Sequence, residues 1–212
     1  MSGHDDFAFE PIPGLPAPLP VGEEMLWQGR PSATALAREA YKVNWFAAYG
    51  AALVLWRATV GYGIGGLSGA VAYGLPYLVL AVVATGLIWL LAYAQSRGTI
   101  YTLTSARVLM RIGAALPVTF NIPYVQIETA RLDLRGATGT IALETKGKTR
   151  ISALVLWPHL RPWHLAKTQP ALRCIPQADA VAKLLAEAAE TRLAQPTITR
   201  EAAFAGGLMA AE

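Results

Sequence analysis

Charge is what this sequence is short of. Only 15% of its 212 residues are Asp, Glu, Lys or Arg, while 54% are hydrophobic. An average soluble domain carries about 25% charged residues. The deficit argues against an ordinary cytosolic enzyme, and the apolar excess excludes a disordered chain. Cysteine is nearly absent: Cys174 stands alone, which excludes an internal disulfide and a zinc site of the multi-cysteine type. Histidine is scarce too, with only His4, His159 and His164. The length suits one or two domains.

The few charges are unevenly placed. Residues 1–42 carry a net −3, residues 43–96 hold the single charge of Arg57, and residues 97–212 carry a net +6, giving the overall +4. The middle stretch divides into Val43–Val60 and Val71–Ala94, the second with no charge at all. Eighteen or more apolar residues predict a transmembrane helix, because about 20 residues at about 1.5 Å each cross a hydrocarbon core about 30 Å thick. Arg57 lies near the end of the first segment, where an arginine can snorkel to the headgroups. Gly61–Ala70 between the segments is glycine-rich, and the predicted arrangement is a helical hairpin with a short loop. Trp45, Trp56 and Trp89 sit largely toward segment ends with several tyrosines, as in an aromatic belt. Small residues recur at four-residue spacing (Ala47 and Ala51, Ala70 and Gly74), which allows close helix approach and self-association.

Arg30, Arg38 and Lys42 precede the first segment, and Arg97, Arg107 and Arg111 follow the second. This bias predicts both termini on the cytoplasmic side. Residues 1–20 are acidic and proline-rich, without the basic start and apolar run of a cleavable signal. Five prolines between Pro11 and Pro20 enforce an extended tether.

Strands are predicted on both flanks. Gly22–Pro31 contains a short apolar run, and Ser32 caps a lead-in helix through Leu36 to Tyr41. Thr99–Thr104 and Arg107–Ile112 are rich in β-branched residues, and Val118, Phe120 and Ile122 alternate with polar neighbours. Ala130, Leu132 and Leu134 alternate with Arg131, Asp133 and Arg135, which predicts a half-buried strand with one charged face. Thr140–Glu144 and Thr149–Ala153 flank Lys146-Gly147-Lys148 as a hairpin signal. Leu154–Ile175 is irregular. Ala178–Ala194 is helical, with Val181, Leu184, Leu185 and Ala188 on one face, Asp179 at its start and Pro196 beyond its end.

Catalysis needs a nucleophile with a base, a metal site or tuned carboxylates. His159 and His164 are five apart in a proline-broken segment, without the spacing of a helical metal pair. Cys174 has no nucleophile motif around it, and an inert buried thiol is the expectation. No enzyme activity, metal or cofactor is predicted. Neither apolar segment contains a histidine that could ligate a cofactor metal. Arg131, Arg135, Lys146, Lys148 and Arg150 form a basic cluster suited to anionic lipid, or simply a solvated face. Nucleic acid is not expected, because no stacking aromatics interleave with the basic residues. The insert Trp157-Pro-His-Leu-Arg-Pro-Trp163 offers Trp157, His159, Arg161 and Trp163 as a partner-binding surface, since tryptophan and arginine are enriched at hot spots. The alternative is that the tryptophans plug the end of the β domain.

Glu24-Met-Leu-Trp-Gln-Gly-Arg-Pro31 before the apolar stretch, with Tyr101-Thr-Leu-Thr-Ser-Ala-Arg107, Arg111-Ile-Gly113, Ile122-Pro123 and Ile127 after it, resembles the bacterial membrane-associated pleckstrin-homology-like domain. The resemblance covers about residues 22–192. The length, the proline-rich start, the insert and Leu172-Arg-Cys-Ile-Pro176 resemble, within that group, a photosynthetic complex assembly family of purple bacteria. The implied fold is membrane α+β: a two-helix transmembrane hairpin plus a small antiparallel β domain closed by a C-terminal helix. The expected organisation is a tether (1–21), a strand and lead-in helix joining the β domain (22–42), the hairpin (43–96, helices 43–60 and 71–94), the cytoplasmic domain (97–195) and a tail (196–212). The resemblance implies a non-enzymatic assembly factor of the bacterial inner, intracytoplasmic membrane. It would bind reaction-centre and core-antenna subunits and touch membrane lipid. The alternative is a general lipid- or protein-binding membrane module.

Overall fold

The computed structural model of the chain describes residues 14–15, 17–114, 117–147, 152–164 and 167–194. Strand β1 (Met25–Gly29) comes from the segment ahead of the apolar stretch and pairs antiparallel with β2 (Ile100–Thr104), which follows it. Strands β3 (Arg107–Ile112) and β4 (Val118–Pro123) extend this sheet in the order β1-β2-β3-β4. Every residue of β2 is buried. Tyr101 and Leu103 enter the core, while the Thr102 hydroxyl accepts a hydrogen bond from Gln28 at 3.0 Å. A β-branched run with few charges suits such a central strand.

The second sheet contains β5 (Ile127–Arg135), β6 (Thr138–Thr145) and β7 (Ala171–Pro176), all antiparallel, with β6 central. Gly136 at φ +61° opens the two-residue connection from β5 to β6, a conformation that suits a residue without Cβ. Between the sheets lie Val108, Met110, Ile141, Leu143, Leu172 and Ile175 among other core residues. Helix α4 (Ala178–Ala194) closes this core with Val181, Leu185 and Ala188. Burying each valine or leucine contributes about 1.5–3 kcal/mol, enough to hold a helix that would be marginal alone. Leu184, expected on the same face, is exposed at its margin.

Three strand expectations change, the first because β7 occupies the end of the stretch Leu154–Ile175 that is expected to be irregular. Strand β5 is not half-buried: Leu132 and Leu134 are 41% and 56% exposed, and its charged face is exposed as well. It is the edge of its sheet, so its backbone is paired on one side only and its apolar residues reach past the core. The arm Thr149–Ala153 of the second expected hairpin lies largely outside the described residues. Ala153 begins the short helix α3 (Ala153–Leu156), and β6 pairs with β5 and β7.

Helix α1 (Ala33–Glu39) starts at Ser32, whose hydroxyl accepts from the Ala35 N–H at 3.4 Å. It leads into α2 (Val43–Gly98), the one helix among the described residues long and apolar enough to cross a membrane. Few of its residues are buried. Its helical geometry breaks at Gly65 (φ −141°, ψ 25°) and Gly66 (φ 60°, ψ −142°). The helical turns continue to this break from both sides, so Gly61–Ala70 is not a loop throughout. Residues flanking the break lie against one another: a Cβ on Gly50 would come 2.7 Å from that of Ala81, and one on Gly74 would come 3.2 Å from that of Ala58. Gly61 and Gly69 meet backbone to backbone. Only glycine allows this approach without displacement.

The root of α2 is fastened to the β domain. Leu36, Ala37, Tyr41, Val43, Ala92 and Cys174 form a second apolar cluster joining α1, α2 and β7. The Ser96 hydroxyl donates to the Pro31 carbonyl at 2.6 Å, and the Ser32 N–H donates to the Cys174 carbonyl at 2.8 Å. The helix therefore leaves the domain from a packed joint, not from a linker.

Candidate partner and lipid interface

The insert between α3 and β7 folds back on itself as a short ladder whose paired residues are largely buried. Arg161 N–H donates to the Gln169 carbonyl at 3.0 Å, Ala171 N–H donates to the His159 carbonyl at 2.9 Å, and Leu160 bridges Pro170. Arg161 also reaches the Gln169 side chain at 3.1 Å. Trp163 is carried outward near the far end of this ladder, in left-handed backbone (φ 65°), and is 95% exposed. Trp157 sits at its base, 47% exposed, with its ring edge-on to Tyr41 at 4.9 Å. Tyr41 lies two residues before α2, so Trp157 stands beside the root of the apolar helix.

His159 does not belong to this surface. It is fully buried. Its Nδ1 lies 2.6 Å from the Tyr101 hydroxyl and its Nε2 lies 3.1 Å from the Thr99 hydroxyl. The Tyr101 oxygen also accepts from the Arg173 N–H at 3.3 Å, so both ring nitrogens and the phenol have partners inside the core. Burial, and then the positive charge of Arg173, push His159 down to about 3, so it is neutral at physiological pH. The expectation of a partner-binding histidine is corrected: position 159 is apolar by location, and its polar atoms are satisfied inside. Arg173 is itself buried, with Nη1 donating to the Pro158 carbonyl at 3.0 Å.

The basic cluster is also reshaped. Arg131 and Arg135 lie on β5, but Arg135 pairs with Asp133 at 3.0 Å and with Glu39 at 3.9 Å. Lys167 spans Glu144 at 3.0 Å and Glu128 at 3.5 Å. Lys146 is exposed, while Lys148 and Arg150 lie outside the described residues. The expected uniform basic patch is therefore a mixed face here, because strand pairing sets acids from β5, β6 and α1 beside the bases. His164 Nδ1 lies 2.9 Å from the Pro162 carbonyl, away from His159's network.

Cys174 is buried and its thiol is pushed up to about 12, by burial first and then by nearby Glu39. Such a thiol is a poor nucleophile. Among the described residues no group of three His, Cys, Asp or Glu could hold a metal ion. An open cleft of about 750 Å³ lies between the β1 lead-in, the β2–β3 turn and α4. At its edge Arg107 makes two 2.8 Å bonds to the Glu23 carboxylate. This pair was not anticipated, since its members lie on opposite sides of the apolar stretch and no local pattern links them. The surroundings of Arg57 were not anticipated either: its guanidinium lies over Trp56, Tyr73 and Tyr77 at 5.9, 5.3 and 5.3 Å.

Comparison with known proteins agrees with this architecture. The family model described as "Bacterial PH domain" matches residues 48–189. A Rhodobacter capsulatus protein named "Uncharacterized 23.7 kDa protein in puhA 5'region" is 47% identical over 215 aligned residues, covering 100% of both chains. No solved structure matches. A long apolar helix rooted in two antiparallel sheets, with a family match across most of the chain, leads to one conclusion: the chain belongs to the bacterial PH domain family.

Proposed function

We propose that this protein is a non-enzymatic membrane assembly factor for the photosynthetic reaction centre and its core antenna. The observation that carries the reading is the full-length 47% identity to a protein whose name sets it 5′ of puhA, a photosynthetic gene. In this reading the two halves of α2 span the inner membrane as a helical hairpin, and the β domain and both termini lie in the cytoplasm. The root of that hairpin carries Arg38, Lys42 and Arg97, the bias expected of the cytoplasmic side. The hairpin meets client helices, while Trp163 and Arg161 on the insert, with Trp157 at its base, meet their cytoplasmic faces. Arg131, Arg135 and Lys146 meet lipid in this reading, with the acids on the same face weakening that contribution.

Binding, not catalysis, is the mode that these residues support. His159 is locked neutral in the core, Cys174 is shielded, and Trp163 at the insert tip supplies exposed contact area. The test is a mild-detergent pull-down of the tagged protein from photosynthetically grown cells, with proteomics and an absorption spectrum. Enrichment of reaction-centre subunits is the expected result, and the spectrum then reports whether the client arrives with pigment. Recovery of unrelated membrane proteins, or of lipid alone, would replace this reading with a general lipid- or protein-binding membrane module.

A further inference from the structure

Arg57 is the only charged residue between positions 43 and 96, and no carboxylate lies in that stretch. Its Nε is buried and meets no hydrogen-bond acceptor among the described residues. The guanidinium is held instead by ring faces: Trp56 from its own helical segment, and Tyr73 and Tyr77 from the segment beyond the glycine break. Ring faces attract a cation but do not neutralise it or accept its N–H bonds in the plane of the guanidinium. A cation in an apolar helix therefore calls for an anion from outside the chain.

Position and surroundings identify that anion. Arg57 stands eight residues before Gly65, about 12 Å along the helix from the break. The guanidinium lies level between Tyr73 and Tyr77, so a headgroup drawn inward must meet it there. Its flank is open: Trp56 and Tyr73 are exposed beside it, and Arg57 itself is half-buried. From this geometry we infer that Arg57, Tyr73 and Tyr77 form a binding site for the phosphate of a phospholipid in the leaflet opposite the β domain. The inference rests on the hairpin spanning the membrane.

The experiment uses the full-length protein, purified in detergent, stripped of lipid and examined by native mass spectrometry. The probes are dioleoyl phosphatidylglycerol, dioleoylglycerol (the same chains without phosphate) and inorganic phosphate. Arg57→Leu is expected to weaken one phosphatidylglycerol site about tenfold or more, with diacylglycerol binding unchanged. Arg57→Lys, which keeps the charge but loses the planar fork, is expected to fall between the two. Circular dichroism melts of each variant separate a lost site from a lost fold. Equal phosphatidylglycerol binding by wild type and a folded Arg57→Leu would overturn the site. So would Arg57-dependent capture of inorganic phosphate with no preference for the lipid. Carbonate extraction of cell membranes tests the underlying reading separately. Release of the chain would remove the spanning hairpin and this site together, whereas a retained chain with unchanged lipid binding would remove the site alone.

Discussion

The Tyr101 hydroxyl and His159 Nδ1 lie 2.6 Å apart in a fully buried pair. This contact ties the insert to the first strand after the apolar helix. It turns a histidine that reads as surface into a structural part of the core.

His159→Phe is expected to cost about 1–3 kcal/mol, because Tyr101 and Thr99 lose a buried partner. The pH dependence is more specific. The folded state holds His159 neutral down to about 3, while an unfolded chain takes up the proton near 6.5. Stability is therefore full above pH 6.5 and falls as pH drops from there toward 3, by up to about 1.4 kcal/mol per unit. Between pH 6.5 and 4.5 the lowered carboxylate of Glu23 contributes little, since its loss begins below its ordinary 4.5. Melting temperatures of the full chain across that window should decline in wild type and stay flat in His159→Phe.

Cys174 is expected to resist maleimide at pH 7.5 in the native protein and to react once the chain is denatured. Burial disfavours its thiolate and covers the sulfur. Stoichiometric labelling without denaturant would show that the joint between α1, α2 and β7 opens.

Gly61→Val is expected to disrupt the packing of α2 on itself, because a Cβ there runs into the Gly69 backbone, which cannot swing aside. Gly63→Ala, with open space around its position, is the matched control. Disulfide cross-linking between cysteines placed at Ala58 and Gly74 should drop in the first variant and persist in the second.

The two tryptophans of the insert separate. Trp163→Ala is expected to leave the melting temperature unchanged, since its ring is almost wholly exposed, and to reduce recovery of reaction-centre subunits. Trp157→Ala loses the edge-on contact with Tyr41 and is expected to cost about 0.5–1.5 kcal/mol beyond its buried area. Normal client recovery with Trp163→Ala would remove the insert tip from the interface.

Local pattern carried much of the fold. The β-branched run at Ile100–Thr104, the period of Ala178–Ala194 and the uncharged stretch around Val71–Ala94 each state their structure without distant help, because propensity and apolar periodicity act over a few residues. The candidate site was less legible. Trp163 reads correctly as exposed, but His159, four residues earlier, has the same kind of neighbours and lies in the core. Leu132 and Leu134 alternate as a buried face should, and yet stand at a sheet edge.

By itself, then, the sequence determined the apolar stretch, most of the strands on its flanks and the closing helix, since each follows from side-chain chemistry at short range, but not β7, which lies in a stretch that reads as irregular. Only the tertiary structure decided that Met25–Gly29 pairs with Ile100–Thr104 and that Glu23 holds Arg107. It also decided that His159 serves Tyr101 and that Arg57 meets Tyr73 and Tyr77. Those pairings join residues brought together by strand register and by the glycine break. Their partners are chosen by the packing of the whole chain, and no window of the sequence contains that packing.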